Sequence, residues 1–202
     1  MLDKDTRNRI IRLIHKEVVP AIGCTEPMAV ALCTAKAAET LGRTPETINV
    51  LLSANILKNA MGVGIPGTGM IGLPIAIALG ALIGKSDYKL EVLKDLTPEA
   101  LEAGKQYIAG KHIDIKLKEG ITEKLYIEVC CKAAGSESTA IIAGGHTSFV
   151  YLGKDGKALL DNRTDTTAGE EEEDIRLNMR LVYDFATTAP VEEISFITET
   201  KD

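Results

Sequence analysis

Positive charge is scarce in this chain: 23 Lys and Arg stand against 29 Asp and Glu, a net charge of −6 across 202 residues. Clustered cations facing phosphates carry sequence-independent nucleic-acid binding, so no nucleic-acid partner is expected. A secretory leader is lacking as well. The opening MLDKDTRNRIIRLIHKE is charged throughout and has no apolar run behind a basic start, which predicts a cytoplasmic location. No apolar run reaches the roughly 20 residues needed to cross a bilayer. The strongest one, MIGLPIAIALGALIG, is preceded by a Gly- and Pro-rich stretch and reads as a buried core helix, so no membrane partner is expected. Also missing are a CxxC pair, an HExxH motif, a Walker loop, an evident Ser/His/Asp set, internal repeats and a long linker. Without an export signal the four cysteines read as thiols or metal ligands rather than disulfides. Cys130 and Cys131 are adjacent and would face opposite sides of a strand; with Cys33 they read as small buried hydrophobes.

What remains is the composition of a globular protein, 45% hydrophobic and 26% charged, long enough for one domain or two small ones. Ile10, Ile11, Ile14 and Val18 recur at helical spacing until Pro20 and Gly23. A second helix is expected to start near Glu26–Pro27 and to stop at Gly42. INVLLS reads as a strand, NILKNAM is ambiguous, and GVGIPGTGMIGLP reads as a loop feeding the apolar helix. KLEVL alternates like a strand, and TPEALEAGKQYIAG reads as a helix capped by Thr97. KHIDIKLKEG, KLYIEVCCKAAG, STAIIAGGH and SFVYLGKDG read as four strands with Gly-bearing turns. A final helix over roughly 170–187 is expected to open on EEEED, where acids suit the helix dipole.

The fold class is therefore α+β. Residues 1–87 form a helical segment with a Gly-rich loop; 88–160 form a largely antiparallel sheet module with one helix; 161–202 form a C-terminal helix.

The glycine loop is the strongest chemical signal. Gly62-x-Gly64-x-x-Gly67 and Gly67-x-Gly69-x-x-Gly72 both match the dinucleotide fingerprint. That fingerprint needs a strand ending at its first glycine and a helix opening at once. Here LKNAM and Pro66 intervene, so NAD(H) binding is not expected. Closely spaced backbone N–H groups could still hold the carboxylate or phosphate of a small substrate, or the loop could simply pack a turn against a helix. Lys58 and Asn59, just before the loop, offer a cation or base and an amide; His146 follows two glycines between two strands. Each also has an ordinary reading, as a surface lysine and a hydrogen-bonded turn histidine. His15 and His112 sit among charged residues and read as solvated. Cys24 lies at a helix junction, where a helix N-terminus favours the thiolate that attacks or ligates iron; its ordinary reading is a packing thiol.

GCTEP at 23–27, LKNAMGVGIPGTGMIGLPIAIALGALIG at 57–84, LEVLKDLTPEAL at 90–101 and GGHT at 144–147 together resemble the L-cysteine desulfidase family, also called UPF0597. That family is related to the alpha chain of iron–sulfur L-serine dehydratases. The resemblance implies a lyase that converts L-cysteine to pyruvate, ammonia and sulfide with an oxygen-labile [4Fe–4S] cluster. It makes Cys24 a cluster ligand or active-site thiol. Placed on this chain, it makes Lys58 and His146 the candidate proton-transfer groups. Asn59, Gly67, Thr68, Gly69 and Thr147 become the candidate substrate-binding residues, for L-cysteine or L-serine. Family members are substantially longer and carry further cluster cysteines in a C-terminal half, so a C-terminal half or partner subunit is expected. A cluster normally takes three or four thiolates from protein, and Cys33, Cys130 and Cys131 do not match those ligands, so none is expected on this chain alone. After GGHT the family more often has Asn where Ser148 stands. A homo-oligomer is compatible with the sequence. The alternative is an amino-acid-binding regulatory module without catalysis, in which the glycine loop is structural.

Overall fold

In the computed structural model, residues 2–18, 20–163 and 175–201 are described. The chain divides into two compact units, Met1–Pro20 with Asp165–Asp202, and Ala21–Thr164. The first holds helices α1 (Lys4–Glu17) and α6 (Met179–Thr188), followed by 3-10 turns over Val191–Lys201. Asp3 caps α1, accepting a hydrogen bond from the Thr6 N–H at 2.9 Å, and Ile10 is buried as the helical spacing predicts. Arg7 pairs with Glu193 at 3.3 Å, and His15, exposed as expected, stacks on Phe196 with centroids 3.6 Å apart.

The second unit is built on α2 (Thr25–Leu41). From Pro27 to Ala35 every residue of α2 is buried, so this helix is covered on all sides rather than on one stripe. A six-stranded sheet covers one side. Its strands are β1 (Thr47–Leu52), β4 (Ile113–Leu117), β5 (Tyr126–Ala133), β6 (Ser136–Ala143), β7 (Phe149–Lys154) and β8 (Lys157–Asp161). They lie in the order β4-β1-β5-β6-β7-β8, with β1 and β4 parallel and the other pairings antiparallel. The fold is α+β with a mixed sheet. One sheet thus draws β1 from before residue 87 and its other strands from after it. Ile48, Val50 and Leu52 face inward beside Ile127, Val129 and Cys131, the period-two pattern of a half-covered sheet. Cys130 is half-buried on the opposite face.

Helix α4 (Leu73–Ile83) covers another side of α2, and α5 (Pro98–Ala109) packs on α4. The α2–α4 crossing is close. A Cβ at Gly80 would lie 2.6 Å from the Ala31 carbonyl oxygen, and one at Gly84 would lie 2.7 Å from the Ala35 Cβ. Two small residues four apart on each helix set this approach, which no larger side chain would permit. Helix α4 is the apolar core helix expected from its sequence; no helix among the described residues is long and apolar enough to cross a membrane.

One expected element differs. KLEVL is not a strand: Ser86–Glu91 is a 3-10 helix and Val92 and Leu93 lie in the turns that follow. Glu39 of α2 fixes its start, accepting from the Ser86 N–H at 2.7 Å and from its hydroxyl at 2.5 Å, while Leu90, Val92 and Leu93 are buried. Alternating burial is met here by turns, not by strand pairing. Among the described residues the C-terminal helix runs Met179–Thr188 with Asn178 as its cap; EEEED lies outside the described residues.

Replacing Gly80 by Ala should lower the unfolding free energy by about 1–3 kcal/mol through overpacking of the α2–α4 crossing. Gly62→Ala, where an added Cβ meets nothing within 4 Å, should stay within about 0.5 kcal/mol of wild type. Urea unfolding of both variants checks this; equal midpoints would contradict the close crossing.

Candidate functional site

The N-terminus of α2 begins with Cys24 at the capping position. Its backbone carbonyl accepts from the Met28 N–H at 3.4 Å, but its side chain makes no capping hydrogen bond and is exposed. Thr25 and Glu26 form the first turn. The Glu26 carboxylate accepts from the Thr25 hydroxyl at 3.2 Å and from the Asn59 amide at 3.4 Å. Asn59 sits on α3 (Ala54–Ala60), a short helix opened by Ser53, whose hydroxyl accepts from the Ile56 N–H and donates to the Lys124 carbonyl at 2.8 Å.

Partial burial pushes the Glu26 carboxyl up. Its own backbone N–H, the Thr25 hydroxyl, the Asn59 amide and attraction to His146 together outweigh that push and hold it below the ordinary glutamate value of 4.5. His146 is half-buried in the β6–β7 turn, which closes through Ser148 N–H to Gly145 C=O at 3.1 Å; Thr147 lies beside it. Glu26 thus ties GCTEP to LKNAM by a hydrogen bond, and the GGHT imidazole lies within range of charge attraction to it. The sequence reading took Glu26 only as the start of a helix. The available signal was its place inside GCTEP, between a cysteine and a proline. Lys58 is exposed on the same short helix as Asn59. Consecutive helical residues point about 100° apart, so Lys58 does not share the line from Asn59 to Glu26.

The glycine loop folds as a small hairpin. Its arms are β2 (Gly64–Ile65) and β3 (Met70–Ile71), and Gly67 and Gly69 take positive φ in the turn between them. No strand runs into Gly62, so the loop lacks the strand–turn–helix form of a dinucleotide site. Thr68 is 7% exposed; its hydroxyl donates to the Ile65 carbonyl at 2.7 Å and accepts from the Met70 N–H at 2.9 Å. With its one proton committed, Thr68 shapes the turn and has none to offer a substrate. The N–H groups of Thr68 and Gly72 are also engaged, to Ile65 and Val63, which narrows the expected anion cradle to Gly67 and Gly69.

Two contacts seat this hairpin beside Cys24. A Cβ at Gly23 would lie 2.5 Å from Pro66 Cγ, so the residue before Cys24 must be glycine-sized for the Pro66 ring of the hairpin to sit against it. Ile22, Pro66, Gly67, Leu93, Leu96 and Leu101 line a cavity of about 420 Å³, with Thr97 and Pro98 of α5 at its side. LKDLTPEAL thereby joins the same neighbourhood.

The cysteines do not converge. Cys33 is fully buried with its thiol 3.3 Å from the Ala140 carbonyl, and burial pushes it well above the ordinary value. Burial also pushes the Cys131 thiol up to about 12. Among the described residues no three His, Cys, Asp or Glu side chains gather as a metal-holding group. The thiols present here therefore do not fit the ligand set of a [4Fe–4S] cluster.

These motifs have close counterparts. The chain is similar to UPF0597 proteins. It is 67% identical over 199 residues to one from Bacteroides fragilis, covering 98% of this chain and 46% of that one. It is 69% identical over 196 residues to one from Bacteroides thetaiotaomicron, covering 96% of this chain and 45% of that one. For one from Phocaeicola vulgatus the identity is 65% over 201 residues, with 100% and 47% covered. The chain thus spans about half the length of the curated UPF0597 relatives it matches. No family model and no solved structure matches it.

A carboxylate held below 4.5 contributes stability that is complete above that value and is lost as pH falls through its folded-state value. The stability difference between wild type and Glu26→Gln should therefore shrink on acidification below 4.5. In Asn59→Ala the Glu26 titration should move back toward 4.5, read by carbon-detected NMR of the carboxyl group. A wild-type midpoint at or above 4.5 would contradict the described hydrogen bonds.

Proposed function

We propose that this chain forms the substrate-binding and proton-transfer half of an L-cysteine desulfidase or a serine-dehydratase-like lyase. The observation that carries the reading is the Glu26 carboxylate of GCTEP, hydrogen-bonded by Thr25 and by Asn59 of LKNAM and held ionised with the GGHT imidazole in its field. An anionic carboxylate holding an amide and a hydroxyl suits the α-ammonium group of an amino acid, and the His146 imidazole is the candidate base for the adjacent carbon. The resemblance to cysteine desulfidases and the likeness to UPF0597 proteins support the same assignment without stating an activity for this chain.

In this reading Glu26 receives the ammonium group, oriented by Asn59 and Thr25. Gly67 and Gly69 offer backbone N–H groups to the substrate carboxylate. His146 takes the α-proton, with Thr147 alongside. The electron pair of the Cα–H bond forms the Cα=Cβ bond as the Cβ–S bond breaks. The departing sulfur keeps the bonding pair and takes a proton from water, since Lys58, the expected donor, turns about 100° away from Asn59 on α3. The aminoacrylate left behind tautomerises to an imine, and water hydrolyses it to pyruvate and ammonia. A [4Fe–4S] cluster, to which Cys24 would contribute, would need further ligands from outside this chain, so no step is assigned to it.

The test supplies the half of the relatives that this chain does not match. The chain, joined to the unmatched half of the Bacteroides fragilis relative and purified without oxygen, should release sulfide and pyruvate from L-cysteine. His146→Gln should lower kcat by about 100-fold or more, the loss expected for a general base. Glu26→Gln should act mainly through KM, as loss of ground-state binding. If the joined protein binds iron yet yields neither product from cysteine nor pyruvate from serine, the lyase reading is wrong.

A further inference from the structure

The candidate site lies open. Cys24, Lys58 and Asn59 are exposed, and so are Gly67 and Gly69 at the hairpin turn. Two large apolar side chains are exposed on the segments that carry these residues: Met61 at 47% and Ile71 at 70%. They are neighbours of the site by construction. Met61 follows Asn59 by two residues, and its carbonyl oxygen lies 2.8 Å from where a Gly72 Cβ would stand. Ile71 is the residue before Gly72 and pairs with Gly64 across the hairpin. Exposed apolar side chains scattered over a surface need no explanation; these two flank the backbone contact between the end of α3 and the start of α4, beside the motif-bearing residues.

Proton abstraction from an amino acid also needs a site from which bulk water is excluded. Nothing among the described residues of the Ala21–Thr164 unit covers this face. The relatives do have something more: at 65–69% identity, this chain accounts for only 45–47% of their length.

We infer that the face formed by α3 and the glycine hairpin, centred on Met61 and Ile71, is the docking surface for the half of a UPF0597 chain that this chain does not match, and that the site around Glu26 is completed at that junction. The inference rests on the proposed function for its need to exclude water; the surface itself rests on exposure and on the length of the relatives. The partner is a protein segment with an apolar contact patch, and the junction places it against the open side of Cys24 and Glu26. A second copy of this chain is the competing occupant.

The experiment compares the chain alone with the chain joined to the unmatched half of the Bacteroides fragilis relative. Hydrogen–deuterium exchange should slow by about tenfold or more over residues 54–72 in the joined protein, and maleimide labelling of Cys24 should fall in parallel. Independently, the two halves co-expressed as separate chains should co-purify. Met61→Asp with Ile71→Asp should reduce recovery by about tenfold, whereas Leu159→Asp, at an exposed position on β8, should not. Absence of both protection and co-purification overturns the inference, as does a concentration-dependent dimer of the isolated chain protecting the same residues. Protection without sulfide release removes the lyase reading and leaves the surface; sulfide release without protection does the reverse.

Discussion

The structure depends on the close crossing of α2 and α4. Because Gly80 and Gly84 present no side chain toward Ala31 and Ala35, the two helices approach to backbone contact and α2 can be enclosed by α4 on one side and the sheet on another. Enclosure fixes α2 along its length. Its cap Cys24 and the half-buried Thr25 and Glu26 of its first turn continue directly from this enclosed stretch. Hydrogen bonds from the core to the periphery extend the same restraint. Ser138 donates to the Ala37 carbonyl at 2.7 Å, and Lys154 donates to the Leu41 carbonyl at 3.0 Å, tying the far end of α2 to β6 and β7. A rigid helix with one end in the core and the other at a surface site is a good support for positioned chemistry.

Around that end the chain brings together residues from positions 23 to 146. The geometry distributes duties among them more sharply than the residue types alone suggest. Glu26 collects the polar partners, whereas Thr68 is spent on the shape of its own hairpin. Pro66 serves two neighbours, backing Gly23 on one side and lining the cavity with Leu93 and Leu96 on the other. Moving the hairpin would therefore disturb both the α2 terminus and the cavity, which makes these parts one mechanical unit.

Local patterns in the sequence were read well where local physics decides. Strand β1 shows its alternation, and Thr97 caps α5 by accepting from the Ala100 N–H. The β5–β6 turn carries positive φ at Ala134 and Gly135, and the β7–β8 turn carries it at Asp155 and Gly156, the geometry of primed hairpin turns. Asp155–Gly156 is itself a hairpin signal, yet β8 went unread because KALLD lacks clear alternation and Leu159 remains 58% exposed at the sheet edge. KLEVL misled because buried positions two apart arise in a 3-10 turn as readily as in a strand once Glu39 anchors its start. The parallel pairing of β1 with β4 and the meeting at Glu26 join residues far apart along the chain, and periodicity carries no information about either.

The caps of the helices differ in one respect. Asp3, Ser53, Thr97 and Asn178 each place a side-chain oxygen on a free backbone N–H at a helix start. Gly72 cannot, but its φ of +89° is one that other residues rarely adopt. Cys24 has no such reason: with φ −58° and ψ 131°, serine, threonine or aspartate would fit there, and each would supply roughly 0.5–2 kcal/mol that a thiol does not. The most enclosed helix of the molecule thus begins on its least helpful cap. Folding alone would favour an oxygen at position 24, and the sulfur there represents stability left unclaimed at the mouth of the site.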